Sequence, residues 1–125
     1  MKRNGNHRGR ALLVGSEAEL RRTISRYLQL HGLEVVEAGT LQEAEGCLAD
    51  TGDFDLLVTE LMTAENEGWP EWKRVVSWNP RISLLLHGTH VDEWDRTRGK
   101  IGRNAIFIGR PFSLSDFHWV LQQVL

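Results

Sequence analysis

Five short apolar runs alternate with stretches of helical periodicity, and this alternation constrains the fold more than any other feature of the chain. The runs are RALLV (10–14), LEVVEA (33–38), FDLLVTE (54–60), ISLLLH (82–87) and AIFIG (105–109). Each is nearly continuous in apolar residues, the pattern of a strand covered on both faces. After the first run, Leu20, Ile24, Tyr27, Leu28 and His31 fall on one helical face, with Arg21, Arg22 and Arg26 pointing away. Ser16 with Glu19 fits a capping box at the start of that helix, and Gly32 fits its end. Thr40 with Glu43 forms a second capping box, ahead of Leu41, Ala44 and Leu48 at helical spacing. EWKRVVSW (71–78), entered through Pro70 and stopped before Pro80, predicts a third helix. THVDEWDRTRG (89–99) predicts a short fourth one. Ser113 and Asp116 cap a fifth, which lines up Phe117, Val120, Leu121 and Val124.

Strand and helix alternating in this way predict an α/β fold, a doubly wound parallel sheet with helices on both faces. Ligands of such sheets sit beyond the carboxyl ends of the strands. Those ends carry Gly15 and Ser16, Glu60, His87 and Gly88, and Arg110. Glu60 is the odd member, because a carboxylate closing a buried run needs a partner. His87 reads as a hydrogen-bonded residue filling space near Glu60, or as a pH-sensitive group there.

The totals narrow the function classes. The 125 residues suit one domain, here 10–125, preceded by a disordered basic lead-in or linker at 1–9. A net charge of −2 advertises neither nucleic acid nor membrane as a partner. The single cysteine, Cys47, fits a half-buried thiol in a reducing, cytoplasmic setting. No secretory signal or membrane-length apolar stretch is present in the sequence. His31, His87, His90 and His118 show no metal-ligand spacing, so no metal is assigned. There is no phosphate-binding glycine motif, and VGSEA (14–18) is not a nucleophile elbow; the chain is not expected to be an enzyme.

In ALLVGSEAELRRTISRYLQLHGLEVVEA, FDLLVTELM and IFIGRPFSLSDF the sequence resembles a response-regulator receiver domain, over about Arg10 to Leu125. The resemblance implies a flavodoxin-like five-stranded parallel sheet of order 2-1-3-4-5 with five helices. It also implies a phosphoacceptor aspartate ending the third strand, an acidic Mg²⁺-holding pair after the first, a Ser or Thr ending the fourth, and a lysine before the proline after the fifth. Here those places fall on Glu60, on Gly15 and Ser16, on His87 (with Thr89 two residues on), and on Arg110. Phe107 matches the family's aromatic that rotates on activation.

Without the acidic pair, Mg²⁺ lacks its oxygen ligands, and binding is expected to be lost or weak. Glu60 then resembles a crude phosphoaspartate, clamped through a bidentate pair by Arg110. The expectation is a pseudo-receiver of two-component signalling that acts by protein–protein contact, its Glu60 either locking one signalling state or left by drift. The alternatives are a working phosphoryl acceptor, on Glu60 or Asp55, and a small-ligand flavodoxin-like module. The acidic GSEAE and TAENEG loops disfavour an anionic ligand. Expected partners are a histidine kinase, a phosphotransfer protein or the rest of its own parent chain. A homodimer through the fourth helix, fifth strand and fifth helix is a further option, with Trp94 and Trp119 as exposed candidates there. The chain is expected to be a stand-alone module or a piece of a longer protein such as a hybrid sensor kinase.

Overall fold

The computed structural model describes residues 9–50, 53–60, 81–89, 92 and 105–125. Strand β1 (Gly9–Val14) leads into helix α1 (Ala18–Leu30), and strand β2 (Leu33–Ala38) into helix α2 (Leu41–Asp50). Strands β3 (Leu56–Glu60), β4 (Ser83–Gly88) and β5 (Ala105–Gly109) follow, then helix α3 (Leu114–Val124). All five strands form one parallel sheet in the order β2-β1-β3-β4-β5. The helices expected at 71–78 and 89–99 fall outside the described residues, apart from Thr89 and a helical Asp92. Three helices are therefore described where five were expected. β1 begins at Gly9, a buried residue paired with Leu33, so the strand starts one position before the expected domain boundary. None of the described helices is long and apolar enough to cross a membrane.

The continuous apolar runs make sense once both faces of the sheet are filled. Ala11 and Leu13 of β1, Leu56 and Val58 of β3, and Leu85 of β4 point to one side. There they meet Ile24 and Leu28 of α1 and Phe117, Leu121 and Val124 of α3. The intervening residues Leu12, Val14, Leu57 and Leu84 point to the other side, against Ala44 and Leu48 of α2 with Phe54 and Ile82. Successive strand residues face opposite ways, so a strand covered on both faces has no polar side to show. The outer strand β2 keeps Glu34 and Glu37 in water.

Helix α1 does not start as expected. Its N-cap is Glu17, in extended geometry, with no side-chain cap hydrogen bond, and Ser16 is exposed. A shift of one residue moves Glu19 out of the third helical position, so the Ser16–Glu19 box cannot close. The first turn is tied down otherwise: Arg21 donates through Nη1 to the Gly15 carbonyl at 2.5 Å and through Nε to Glu37 Oε1 at 2.9 Å. At the far end His31 is the C-cap and Gly32 takes φ 98°, a left-handed conformation that glycine adopts without steric cost.

Of the other two expected boxes, that of Ser113 and Asp116 forms in full, whereas that of Thr40 forms in half, because Glu43 reaches back to the Gly39 N–H and not to that of Thr40. Thr40 Oγ1 accepts from the Glu43 N–H at 3.1 Å, while Glu43 Oε1 accepts from the Gly39 N–H at 2.7 Å. Ser113 Oγ accepts from the Asp116 N–H at 3.0 Å, and Asp116 returns the bond to the Ser113 N–H. Replacing Ser113 with Ala strands that donor, and is expected to cost about 1 kcal/mol in chemical denaturation. An unchanged midpoint would mean that the box adds nothing beyond the packing of α3. Helix α3 is further held by Ser83 Oγ, which donates to the Val124 carbonyl at 3.0 Å, and by His118 Nε2–H, which donates to the Tyr27 carbonyl at 3.0 Å.

Candidate functional site

The carboxyl edge of the sheet brings the expected residues together. β3 delivers Glu60 beside His87 of β4 as register partners on neighbouring strands. β5 ends one residue short of Arg110, whose N–H donates to the Gly88 carbonyl at 2.8 Å. β1 delivers Gly15, whose N–H donates to the Ala38 carbonyl of β2 at 3.0 Å. Asp55 does not belong here. Its Oδ2 accepts from the Arg10 N–H at 2.8 Å at the amino edge of the sheet. Five residues of strand rise separate it from Glu60, roughly 16 Å.

Arg110 does reach Glu60, but through one bond: Nη2 donates to Oε2 at 2.8 Å. The bidentate clamp expected from the sequence is not formed. Arg110 Nε is buried and has no hydrogen-bond partner among the described residues. The Glu60 side chain is 48% exposed and that of Arg110 21%. Half of this pair stands in water, so it contributes about 1 kcal/mol or less to folding. It fixes a position more than it stabilises.

His87 is 3% exposed. The expected hydrogen-bonded histidine is not what stands there, since its Nδ1 has no partner among the described residues. Burial first, and the Arg110 charge second, lower its pKa from 6.5 to about 4. The ring is therefore neutral near pH 7.

A cavity of about 20 Å³ lies between the first turn of α1 and the strand ends, lined among others by Gly15, Ser16, Leu20, Arg21, Glu60 and His87. That is room for about one water molecule. Ser16 reaches the cavity because its hydroxyl is not spent on a cap. Arg21 is the member that the sequence did not place: helical periodicity sends it outward, and only its bonds to Gly15 and Glu37 fold it over the cavity.

Mg²⁺, which the receiver resemblance implies, asks for near-octahedral oxygen ligands, usually with carboxylates. The lining supplies a glycine, a neutral hydroxyl, the exposed Glu17, and the Glu60 carboxylate already bonded to a guanidinium, together with the Arg21 guanidinium and the His87 imidazole. These residues do not fit Mg²⁺. Among the described residues no three His, Cys, Asp or Glu side chains cluster to hold a metal.

Beside this cavity runs an open, largely apolar groove of about 370 Å³, lined by Leu20, Thr23, Thr89, Arg110, Pro111 and Phe112. Phe107 is half-buried on β5, in register with Leu86, and lines neither hollow. Trp119, on α3, is 61% exposed; Trp94 lies outside the described residues.

No protein-family model matches the sequence, and no curated protein matches it. Solved structures do match in three dimensions. The chemotaxis protein CheY4 of Vibrio cholerae superposes with a TM-score of 0.77 at 24% identity, covering 93% of this chain and 98% of that one. A response-regulator receiver domain protein from Clostridium thermocellum gives 0.76 at 15% identity, covering 92% of each chain. NtrX from Brucella abortus gives 0.80 at 18% identity, covering 94% of this chain but 26% of that one. The described chain has the receiver-domain fold of two-component response regulators.

Proposed function

We propose that the protein is a pseudo-receiver: a signalling module of two-component type that works through protein contact and does not take up a phosphoryl group by the usual Mg²⁺-dependent route. The single observation that carries this reading is the Glu60–Arg110 bond of 2.8 Å at the acceptor position. A charge pair already occupies the place where a receiver develops one by phosphorylation. The donor set around it supports the reading further. Phosphoryl transfer needs positive charge, usually a metal, to offset the oxygens of the group in flight. Gly15 and Ser16 offer no carboxylate to hold that metal.

The groove beside Arg110 and the exposed Trp119 are surfaces suited to a protein partner. A histidine kinase, a phosphotransfer protein or a neighbouring segment of a parent chain is the class such a module would meet; one of the matching folds is the receiver of the hybrid histidine kinase CckA. A small-ligand role fits less well, because the cavity at the strand ends, at about 20 Å³, is too small for a nucleotide or flavin ring.

Incubation with acetyl phosphate and Mg²⁺, followed by intact-mass measurement, tests the proposal. The mass is expected to stay unchanged. A stable adduct of one phosphoryl group would overturn it and restore the reading of a working acceptor.

A further inference from the structure

Strand β2 closes one side of the sheet and pairs with β1 alone. Its register with β1 runs unbroken over all six residues, with no bulge and no proline to blunt the outer edge. Val35 and Val36 are only half-buried, whereas Ala11 and Leu12, their partners on β1, are fully buried. The two glutamates that would guard such an edge are drawn inward. Glu34 Oε1 lies 3.3 Å from Arg10 Nε of β1, and Glu37 Oε1 accepts from Arg21 Nε of α1 at 2.9 Å. A row of backbone N–H and C=O groups therefore faces outward with no strand partner among the described residues. Beside this edge runs an open groove of about 530 Å³ between the outer flank of α1 and Glu37, lined among others by Arg22, Ser25, Arg26 and Gln29. Arg10, Arg21 and Arg110 are each paired with a glutamate. Arg22 and Arg26 are exposed and make no ion pair with any described residue. Of the acids lining the groove, Glu37 is already neutralised by Arg21, and Glu19 stands about a turn before Arg22.

We propose that the β2 edge and this groove dock an extended segment of a partner protein that carries acidic side chains at alternating positions. The segment adds a sixth strand through backbone hydrogen bonds, and the groove selects its side chains. Side chains two apart on a strand share one face and stand roughly 7 Å apart. Arg22 and Arg26, about one helical turn apart, are separated by a rise of roughly 6 Å. Acids at alternate positions therefore meet both guanidiniums at once. The intervening side chains fall on the other face, beside Val36, where apolar residues extend the core. The occupant is not a second copy of this chain. A two-fold pairing of β2 with itself is antiparallel and lays the two α1 flanks side by side, arginine against arginine. The chain's own lead-in, with Lys2, Arg3 and Arg8, has the wrong sign as well. The docking edge is separate from the Glu60–Arg110 pair, so the inference stands whichever way the phosphoryl test falls.

The test is NMR titration of the full ¹⁵N-labelled chain with a short peptide of alternating valine and glutamate and, separately, with its valine–lysine counterpart. The glutamate peptide is expected to move the amide signals of residues 33–38 and to slow amide exchange along β2, and the lysine peptide to do neither. Replacing Arg22 and Arg26 together with Ala is expected to weaken binding about tenfold, the worth of two exposed ion pairs. Replacing both with Glu is expected to turn the preference to the lysine peptide. Both positions are exposed, so these variants keep the fold. A glutamate peptide N-methylated at two consecutive central residues, one facing each way, is expected not to bind, because it cannot complete the ladder. Unmoved signals at 33–38 overturn the inference. So does equal binding of the two peptides, full affinity of the methylated one, or movement centred on Arg110 and Phe112 instead. A concentration-dependent dimer in sedimentation that moves the same β2 signals would give the edge to a second copy and overturn it as well.

Discussion

Acidification from pH 6.5 to about 4 is expected to remove about 3 kcal/mol of folding stability through His87 alone. An unfolded histidine takes a proton at about 6.5, whereas the folded one refuses it until about 4, because the ring is buried and faces the Arg110 charge. Between those values the unfolded chain binds a proton that the native chain does not, so each step down in pH favours unfolding. The contribution is whole above pH 6.5, falls across the window, and is gone once the folded ring also protonates. Guanidinium unfolding at pH 7 and pH 4 measures it, for the wild type and for His87→Gln. The wild type is expected to lose about 3 kcal/mol more than the variant over the same interval. Contributions that do not involve position 87 are common to both proteins and cancel in the comparison. Equal losses would place the acid sensitivity elsewhere and would mean that water reaches the His87 ring.

Replacing Phe117 with Ala is expected to destabilise the fold by about 4 kcal/mol, within the range seen for large aromatic truncations in cores. Phe117 is fully buried and is the largest side chain with no exposure among the described residues. Its ring centroid lies 5.6 Å from that of Tyr27 and 5.4 Å from that of Phe112. Tyr27 comes from α1, and Phe112 from the segment between β5 and α3, so one ring joins three parts of the chain. The lost methylene and ring contacts leave a void between two helices and a sheet, and none of those elements can close it without breaking register. Chemical denaturation gives the value. A loss below about 1 kcal/mol would show that α1 and α3 collapse onto one another, against the rigid packing described above. Phe112 follows Arg110 by two residues, so the same void should also loosen the Arg110–Glu60 bond, which amide exchange near Arg110 would report.

Much of this was legible from residues alone. The strands were visible because burial on both faces leaves an unbroken apolar run, as in Leu84 to Leu86. Ser113 and Asp116 gave the last helix because a capping box is a local device, complete within four residues. The resemblance placed Glu60 and Arg110 at one edge, and the structure joins them. Three things were hidden, for one reason: each depends on where a long side chain comes to rest. Ser16 looked like a cap because the sequence does not say that Arg21 will fold back to the Gly15 carbonyl and move the helix start by one residue. Arg110 looked bidentate because its geometry allows it, yet the approach from β5 presents one nitrogen. His87 looked satisfied because buried polar groups usually are. Only the position of the ring shows otherwise.

The all-parallel register carries a kinetic consequence. No two neighbouring strands are joined by a tight turn: β1 pairs with β2 only after α1 has been laid across, and with β3 only after β2 and α2 have been passed. Every rung of the sheet thus waits on closure of a long stretch of chain, and none can nucleate as a hairpin. The protein is expected to refold slowly for its size, in milliseconds or longer, its greasy central strands bare until the crossovers dock. Dilute conditions during refolding should then matter more to recovery than the final stability does.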